Sequence, residues 1–284
     1  MTVKSTSAVA TLRHTPAILK SLLTRPVPAV MGILNVTPDS FSDGGKFLSP
    51  ATALEHAKLM IAEGAAILDI GAESTRPYGA KPVTADEEMQ RLRPILPNLV
   101  ALGAPVSIDT MKAGVAAWAL DAGAAIVNDV WGLQRDPDMA AVVAERSVPV
   151  IVMHNRDSLD ASLDIMKDIA AFFVRSLDIA ANAGIAKSNI VLDPGIGFGK
   201  TPEQSMTALA RLGELQTFGL PLLVGASRKR FISNVSPSEP DERLGGSITA
   251  HLLAAQGGAR IIRAHDVAET VQALQVAAAI GNRR

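Results

Sequence analysis

Residues 29–45 read AVMGILNVTPDSFSDGG and combine a short apolar run with a long polar loop. The apolar run, Ala29–Leu34, has the composition of a buried strand, and Asn35 stands at its end. A polar loop of this length is more often functional than connective. An amide at a strand end can coordinate a hard cation or donate to an anion. An Asx-turn in a surface loop would use the same residue types and is the alternative.

The same unit recurs along the chain: an apolar run, a polar residue at its end, and an amphipathic helix. The apolar runs do not alternate with polar residues, which is typical of strands covered on both faces. Eight such units in about 250 residues predict the α/β class and a single (β/α)8 TIM barrel, with a doubly wound open sheet as the alternative. The predicted strands are Ala29–Leu34, Ala66–Ile70, Pro105–Ile108, Ala125–Val127, Pro149–Met153, Asn189–Leu192, Pro221–Val224 and Arg260–Ile262.

The segments between the predicted strands carry helix start and stop signals. Ser49-Pro50 predicts the start of a helix that ends at Gly64, and Pro94 with Pro97 should split the helix that follows the second strand. Three further starts have capping-box spacing, at Thr84 with Glu87, Thr201 with Gln204 and Asp266 with Glu269.

Composition excludes several classes of protein. The chain of 284 residues is 48% hydrophobic and 19% charged, which indicates a globular protein. A net charge of -1 without a basic cluster argues against a nucleic-acid partner. The absence of cysteine excludes thiolate metal sites, and no apolar run approaches the roughly 20 residues that span a bilayer. We expect a cytoplasmic enzyme that has no membrane partner.

The organisation into domains follows from the strand pattern. Residues 29–284 should form the barrel. Residues 1–38 contain no Asp or Glu but several basic, Ser and Thr residues, which gives the N-terminal segment a weak resemblance to a transit peptide. We favour the alternative that residues 1–28 form an N-terminal tail followed by a short element that closes the bottom of the barrel.

Polar residues stand at the ends of all the predicted strands. In a barrel of this kind the residues after each strand converge on one face, where the chemistry takes place. The pattern therefore predicts a polar pocket for a small ligand that makes many hydrogen bonds. The residues are Asn35, Glu73-Ser74-Thr75-Arg76, Asp109-Thr110, Asn128-Asp129, His154-Asn155, Asp193, Ser227-Arg228-Lys229, Arg263 and His265.

Two parts of this pocket suggest different ligands. Asp109 and Asp193 follow apolar strands, and such carboxylates suit a guanidine-like donor edge. Arg263 and His265 follow the last strand and would lie beside Asn35 once the barrel closes. That corner suits a pyrophosphate with magnesium. Simpler alternatives are a turn at Asp193-Pro194 and a helix cap next to His265.

The order and spacing of several motifs resemble the dihydropteroate synthases, the folate-pathway enzymes that sulfonamides inhibit. The resemblance extends from about Ala29 to Ile280. The segments that carry it are GILNVTPDSFSDGG (32–45), GAESTRP (71–77), SIDT (107–110), NDV (128–130), VMH (152–154), LDPGIGFGK (192–200), GASRK (225–229) and RAHDV (263–267).

The resemblance implies a role for each of the site residues. Asp109, Lys229, Arg263 and His265 would be catalytic, and the protein would be a homodimer. Asn35 would be the protein ligand of Mg²⁺. The pterin would contact Asp109, Asn128, Met153, Asp193 and Lys229. The diphosphate would contact Asn35, Arg263 and His265. The p-aminobenzoate would contact Phe41, Thr75, Arg76, Pro77, Phe198, Ser227 and Lys229.

The implied reaction joins 6-hydroxymethyl-7,8-dihydropterin diphosphate to p-aminobenzoate and releases pyrophosphate. Nothing in the motifs resembles a nucleophile activated by a base, and an aromatic amine is already a competent nucleophile. We therefore predict a dissociative, SN1-like displacement in which Asp109 stabilises the cationic pterin methylene group. Two alternatives are a methyltetrahydrofolate-corrinoid methyltransferase and a catalytically silent pterin-binding paralogue.

Overall fold

The computed structural model describes residues 16–36, 49–73, 83–281 and 283. Within them, eight parallel strands form one closed barrel in which each strand pairs with the next along the chain. The last strand also pairs with the first, with Ala29 opposite Ile261 and Met31 opposite Arg263. The predicted (β/α)8 barrel is confirmed. Its closure excludes the doubly wound sheet, which would leave two open edges.

The strands agree with the sequence prediction to within a residue or two at each end. They are β1 (Ala29–Asn35), β2 (Ile67–Gly71), β3 (Val106–Asp109), β4 (Ile126–Asp129), β5 (Val150–Met153), β6 (Ile190–Asp193), β7 (Leu222–Val224) and β8 (Ala259–Ala264). Strands β1, β3 and β6 continue one residue further than predicted. As a result Asn35, Asp109 and Asp193 are the last residues of strands, where backbone pairing fixes their position.

The helices begin and end largely where the capping residues predict. They are α1 (Pro16–Leu23), α2 (Pro50–Ala62), α3 (Ala85–Leu92), α4 (Leu96–Val100), α5 (Ala113–Asp121), α6 (Met139–Arg146), α7 (Ile165–Asn182), α8 (Pro202–Ala210), α9 (Arg230–Val235), α10 (Leu244–Gln256) and α11 (Val267–Gly281). Ser49 caps α2, and Thr201 with Gln204 forms a complete capping box at α8. The prolines split α3 from α4 as expected. Asp266 differs from the prediction, because its carboxylate binds the guanidinium of Arg228.

Side chains in the barrel interior form layers, because every second residue of a strand points inward. The lower layer is apolar and is built from buried residues near the strand starts, namely Met31, Ile67, Ile126, Ile151, Val191, Leu223 and Ile261. Two residues further along six of these strands stand Asp69, Asn128, Met153, Asp193, Gly225 and Arg263. Inward-facing positions thus change from apolar to largely polar within one layer, and the upper layer forms the floor of the strand-end face.

Helix α1 lies against the bottom of the barrel. Its buried residues Leu19 and Leu22 belong to the same apolar cluster as the lower layer of the interior. The guanidinium of Arg260, at the start of β8, donates to the carbonyl oxygens of Leu23 and Arg25 at 2.7 and 2.6 Å. The helix therefore covers the end of the barrel opposite the polar residues and shields the interior from water.

The remaining helices surround the barrel and pack against the outward-facing strand residues. This larger core contains fully buried side chains such as Leu68, Ile108 and Phe173. Among the residues that the structure describes, no helix is both long enough and apolar enough to cross a membrane.

We expect Leu19→Ala to lower the free energy of unfolding by about 2–4 kcal/mol, because it opens a cavity in a sealed apolar layer. Leu19 is 2% exposed. The matched control is Leu59→Ala on α2, where the side chain is 54% exposed and the change should stay within about 0.5 kcal/mol. Urea denaturation of the three proteins measures both effects. Equal stabilities of the two variants would show that α1 does not seal the barrel.

Candidate active site

A cavity of about 290 Å³ opens at the carboxyl ends of the strands. The floor of this cavity is the upper layer of the barrel interior, and its walls come from the loops that follow β4, β6 and β7. The residues that line the cavity are Asp109, Asn128, Val130, Met153, Asp193, Gly195, Ile196, Phe198, Gly225, Lys229 and Arg263.

The structure brings together the five residues for which a pterin contact is predicted. Asp109, Asn128, Met153, Asp193 and Lys229 all line the cavity, although they come from strands and loops far apart in the sequence. Each strand contributes at a fixed height because neighbouring strands are paired in register, for example Asp109 opposite Asn128 and Met153 opposite Asp193. The structure places these five side chains around one cavity, and their contacts with a pterin remain predictions.

A charged network that the sequence analysis did not predict crosses the floor. Arg263 donates from Nε to Oδ2 of Asp69 at 2.6 Å and from Nη2 to Oδ2 of Asp109 at 2.8 Å. Asn128 donates from Nδ2 to the same oxygen of Asp69 at 3.1 Å. The sequence signal that could have drawn attention to this network is Asp69, the one charged residue in the otherwise apolar strand β2.

The network leaves specific atoms without protein partners. Oδ1 of Asp109 and Oδ1 of Asn128 are buried and accept no hydrogen bond from the part of the chain that the structure describes. Unpaired buried acceptors are costly, and a ligand that donates two hydrogen bonds would satisfy both. Burial raises the pKa of Asp109 to about 7, an effect that Arg263 opposes and the charge of Asp69 reinforces.

On the other side of the cavity, Lys229 is held by main-chain and aromatic contacts. Its Nζ donates to the carbonyl oxygen of Ile196 at 2.5 Å and lies 4.1 Å from the centre of the Phe198 ring. Burial lowers the pKa of Lys229 to about 7, although the charge of Asp193 acts in the opposite direction. Oδ1 of Asp193 accepts from the amide of Gly195 at 2.7 Å. A lysine with this pKa can donate a hydrogen bond and can also exchange a proton near neutral pH.

The loop after β6 is fixed from beneath by Lys200, another residue that the sequence did not single out. Its buried Nζ donates to the carbonyl oxygens of Gly195 and Phe198 at 2.9 and 3.1 Å and lies 2.6 Å from Nδ1 of His154. Burial holds the pKa of Lys200 and of His154 well below their usual values. Nε2 of His154 lies 3.1 Å from Asp168, so a neutral imidazole can accept from the lysine and donate to the carboxylate. The loop wall is therefore preformed.

The corner predicted to bind an anion lies where β8 meets β1. Their pairing places Asn35 at the end of a strand adjacent to the one that carries Arg263 and leads to His265. Nδ1 of His265 lies 3.0 Å from Oγ of Ser227, and the backbone amide of His265 also donates to that oxygen at 3.2 Å. Arg263 is less available than the sequence suggested, because Nε and Nη2 already bind carboxylates. Its Nη1 is the nitrogen without a hydrogen bond in the described residues.

A second ionic network lies beside the strand-end face. Lys112, which follows β3, donates to Glu73 at 2.5 Å and to Glu88 at 2.7 Å. Glu73 also accepts from the amide of Val83 at 3.3 Å, so one carboxylate joins the two ends of segment 74–82. Desolvation raises the pKa of the buried Glu88 despite the hydrogen bond from Lys112. Of these residues the sequence analysis identified only Glu73.

Four predicted site residues, Phe41, Thr75, Arg76 and Pro77, lie outside the described residues. In the described part, no three His, Cys, Asp or Glu side chains come close enough to bind a metal ion together. A magnesium ion that keeps several waters and binds mainly through substrate phosphates needs only one or two protein ligands. The single amide of Asn35 fits this mode of binding, in which water and substrate oxygens supply most of the magnesium ligands.

Comparisons with known proteins identify the family to which the chain is similar. A model of the family described as "Pterin binding enzyme" matches residues 31–265. The chain is 47% identical over 255 residues to the dihydropteroate synthase of Bacillus subtilis, which covers 89% of each chain.

Two solved structures extend the similarity to three dimensions. Dihydropteroate synthase of Xanthomonas albilineans with 4-aminobenzoic acid superposes with a TM-score of 0.86 at 45% identity, over 91% of this chain and 94% of that one. The Yersinia pestis enzyme in a sulfonamide drug complex superposes with a TM-score of 0.85 at 42% identity, over 91% and 95%. At these identities the match extends beyond the fold to the sequence of the barrel.

The raised pKa of Asp109 predicts how its replacement affects stability at different pH values. Its ordinary pKa is 3.8 and its folded value is about 7, so the folded state holds the proton more tightly. The contribution of this group to stability is therefore present below about pH 4 and is lost as the pH rises through 7. Asp109→Asn cannot ionise, and its stability relative to wild type should be greater at pH 8 than at pH 5, by on the order of 2 kcal/mol.

Urea denaturation at both pH values measures the difference. The matched control is Asp157→Asn, the same substitution at a side chain that is 72% exposed. If Asp109→Asn shows no more pH dependence than this control, the carboxylate of Asp109 is ionised throughout the range.

Proposed function

The chain belongs to the pterin-binding enzyme family, and from that premise we propose how the strand-end cavity binds two substrates and assists their reaction. The activity is that of a dihydropteroate synthase, a transferase of folate synthesis. The reaction joins 6-hydroxymethyl-7,8-dihydropterin diphosphate to p-aminobenzoate. The observation that carries the residue assignments is the convergence of Asp109, Asn128, Asp193 and Lys229 on one cavity.

The pterin ring is proposed to occupy the floor of this cavity. Its donor edge would satisfy the unpaired Oδ1 atoms of Asp109 and Asn128, which stand on neighbouring paired strands. Asp193 offers a further carboxylate oxygen, since only its Oδ1 is engaged by the amide of Gly195. Lys229 would donate to an acceptor on the ring, and Met153 would cover its apolar face.

The diphosphate group is proposed to extend from the pterin on the cavity floor towards the corner between β8 and β1. Nη1 of Arg263 and the imidazole of His265 would bind its oxygens, and Oδ1 of Asn35 would bind the Mg²⁺ that accompanies them. When bound, the ion would neutralise the charge that develops on the departing pyrophosphate. The contact between His265 and Ser227 supports this assignment, because it fixes the position of the imidazole ring beside Arg263 and β1.

The p-aminobenzoate is proposed to bind on the outer side of the cavity. Phe198 lies at that wall with Lys229 above its ring, whereas Ser227, on the loop after β7, is buried and does not itself line the cavity. An aromatic carboxylate would stack on the ring and pair with the lysine. Phe41, Thr75, Arg76 and Pro77 stay predictions for the same subsite. Sulfonamides, one of which is bound in the Yersinia enzyme, would compete here.

Charge on the floor favours a dissociative displacement. As pyrophosphate departs, the pterin methylene group becomes cationic, and the carboxylate of Asp109 in the lining of the cavity would stabilise it when ionised. Arg263 balances this carboxylate in the ground state through the 2.8 Å hydrogen bond. The amine of p-aminobenzoate is already neutral and nucleophilic. In this mechanism the protein binds, orients and compensates charge, and it forms no covalent intermediate.

The test is a coupled assay of pyrophosphate release with the pterin diphosphate, with and without p-aminobenzoate. We expect release that depends on p-aminobenzoate, is matched by dihydropteroate formation, and stops when EDTA removes magnesium. Asn35→Ala should lower kcat/KM for the pterin diphosphate roughly 10- to 100-fold, the cost of a lost hydrogen bond to a charged group.

The matched control for this variant is Asn98→Ala on α4, where the amide is exposed and lies away from the strand ends. Binding of the pterin without turnover by the wild-type chain would instead support the silent paralogue. Activity of Asn35→Ala with an unaltered magnesium requirement would remove that residue from the metal site.

We also propose that the enzyme is a homodimer, and a cytoplasmic location stays a prediction. Helices α10 and α11 pack side by side and carry exposed apolar side chains on their outer faces. Leu253 on α10 is 53% exposed, and Val276 and Ile280 on α11 are 53% and 60% exposed. Light scattering should give twice the chain mass of 29.7 kDa for the wild type.

Introduction of a charge on this surface should separate the subunits. We expect Val276→Glu to give a monomer in light scattering, since a carboxylate in an apolar interface loses its hydration. The control is Val174→Glu on α7, which changes a side chain of similar exposure, 51%, on a different helix. A dimer that persists in Val276→Glu and dissociates in Val174→Glu would move the interface to α7.

A further inference from the structure

Asp69 lies beneath the cavity and does not line it. Its side chain is fully buried in the middle of β2, between apolar neighbours in the sequence Ile67-Leu68-Asp69-Ile70. Burying a carboxylate at this depth is costly unless it is paired. The pairing that the structure provides is with the two cavity residues Arg263 and Asn128, which both donate to Oδ2.

The contact with Asn128 determines which atom of that amide is available to a ligand. Because Nδ2 donates to Asp69 at 3.1 Å, Oδ1 is left as a buried acceptor without a partner. An amide is otherwise free to turn over and present its NH2 group. A carboxylate accepts hydrogen bonds and cannot donate them when ionised, so Asp69 selects one orientation. The cavity therefore offers two adjacent acceptors, from Asn128 and from Asp109.

The contact with Arg263 orients the guanidinium. Nε points to Asp69 and Nη2 to Asp109, and the planar group is thereby fixed at two of its nitrogens. The guanidinium consequently occupies only Oδ2 of Asp109 and leaves Oδ1 free. With Asp69 absent, the arginine would be held by Asp109 alone and could bind both oxygens of that carboxylate.

We propose that Asp69 is a positioning residue of the pterin site: without touching substrate, it turns the Asn128 oxygen and one oxygen of Asp109 towards the ligand and keeps Arg263 out of their way. The inference deepens the proposed function and rests on it. Asp69 thereby affects specificity. The two acceptor oxygens that it orients, on Asn128 and Asp109, favour a ligand with two adjacent hydrogen-bond donors and disfavour a ligand with acceptors at the same positions.

The first test replaces Asp69 by alanine. We expect KM for the pterin diphosphate to rise about tenfold or more, and KM for p-aminobenzoate to change less than twofold. The matched control is Ser107→Ala, which alters a fully buried polar residue opposite Asp69 in register and without a side-chain partner in the described residues. A KM for the pterin diphosphate that equals the wild-type value in Asp69→Ala would overturn the proposal.

A rescue experiment separates positioning from a loss of structural integrity. In the double variant Asp69→Ala with Asn128→Asp, position 128 presents an acceptor in either orientation, so affinity for the pterin diphosphate should recover at least threefold relative to Asp69→Ala. The change Asn128→Asp alone should weaken binding, since it places a carboxylate against Asp69. No recovery in the double variant would show that the acceptor orientation is not what Asp69 provides.

The third test is the pH profile of Asp69→Asn. This variant preserves the side-chain volume and can be used if Asp69→Ala does not fold. The charges that face Asp109 are Arg263 from β8, Asp69 from β2, Asp129 from β4 and Glu88 from α3, with Lys229 across the cavity. Removal of one negative neighbour eases ionisation of Asp109. The acid limb of kcat/KM for the pterin diphosphate should therefore move to lower pH.

If the acid limb of kcat/KM in Asp69→Asn lies at the same pH as in the wild type, the charge of Asp69 does not affect the ionisation of Asp109. Wild-type enzyme without turnover dependent on p-aminobenzoate would overturn the proposed function itself, whereas active wild type with unaffected Asp69 variants would overturn this inference alone. Circular dichroism and thermal unfolding of each variant establish that the compared proteins are folded.

Discussion

The hydrogen bonding of β8 to β1 is the constraint on which the rest of the structure depends. It closes the barrel, and closure forces inward-facing residues into layers whose height is set by strand register. Arg263 comes from the last strand, and it can reach Asp69 on β2 and Asp109 on β3 only because the sheet forms a ring. In an open sheet of the same strand order, β8 would lie at one edge, and β2 would lie next to the opposite edge. The floor of the active site is thus a product of closure.

The charges in the upper layer balance one another closely. Asp69, Asp109 and Asp193 are buried at this level, beside the half-buried Arg263 and across the cavity from the half-buried Lys229, and the pKa of Asp109 and that of Lys229 both move to about 7. Two groups that ionise near neutral pH can adjust their protonation when a charged substrate enters. Ligand binding then costs less than it would on a floor with fixed charges. The apolar layer underneath maintains this balance, because it keeps water from screening the charges.

The sequence was sufficient for the barrel and for most residues of the cavity. Apolar runs that end in a polar residue mark the strands, and parallel strands bring their carboxyl ends to one face, so Asp109, Asn128 and Asp193 could be assigned to one site without coordinates. Asp69 could not, since a single charge inside an apolar run gives no sign of its partners. The orientation of the Arg263 side chain could not be predicted from the sequence either. Its hydrogen bonds depend on residues more than 150 positions away in the chain. Lys200 could not be assigned a role either, because its partners are main-chain oxygens and His154 at the end of another strand, which the sequence does not reveal.

Two lysines near the cavity are held by main-chain oxygens of the loop after β6. Lys229 binds the carbonyl of Ile196, and Lys200 binds those of Gly195 and Phe198. A carbonyl group is the same whatever side chain its residue carries. The side chain of Ile196 can therefore vary, and with it the shape of this part of the wall, while the lysine nitrogens keep their places. Gly195 cannot vary in the same way, since a Cβ atom there would lie 2.0 Å from the carbonyl oxygen of His154.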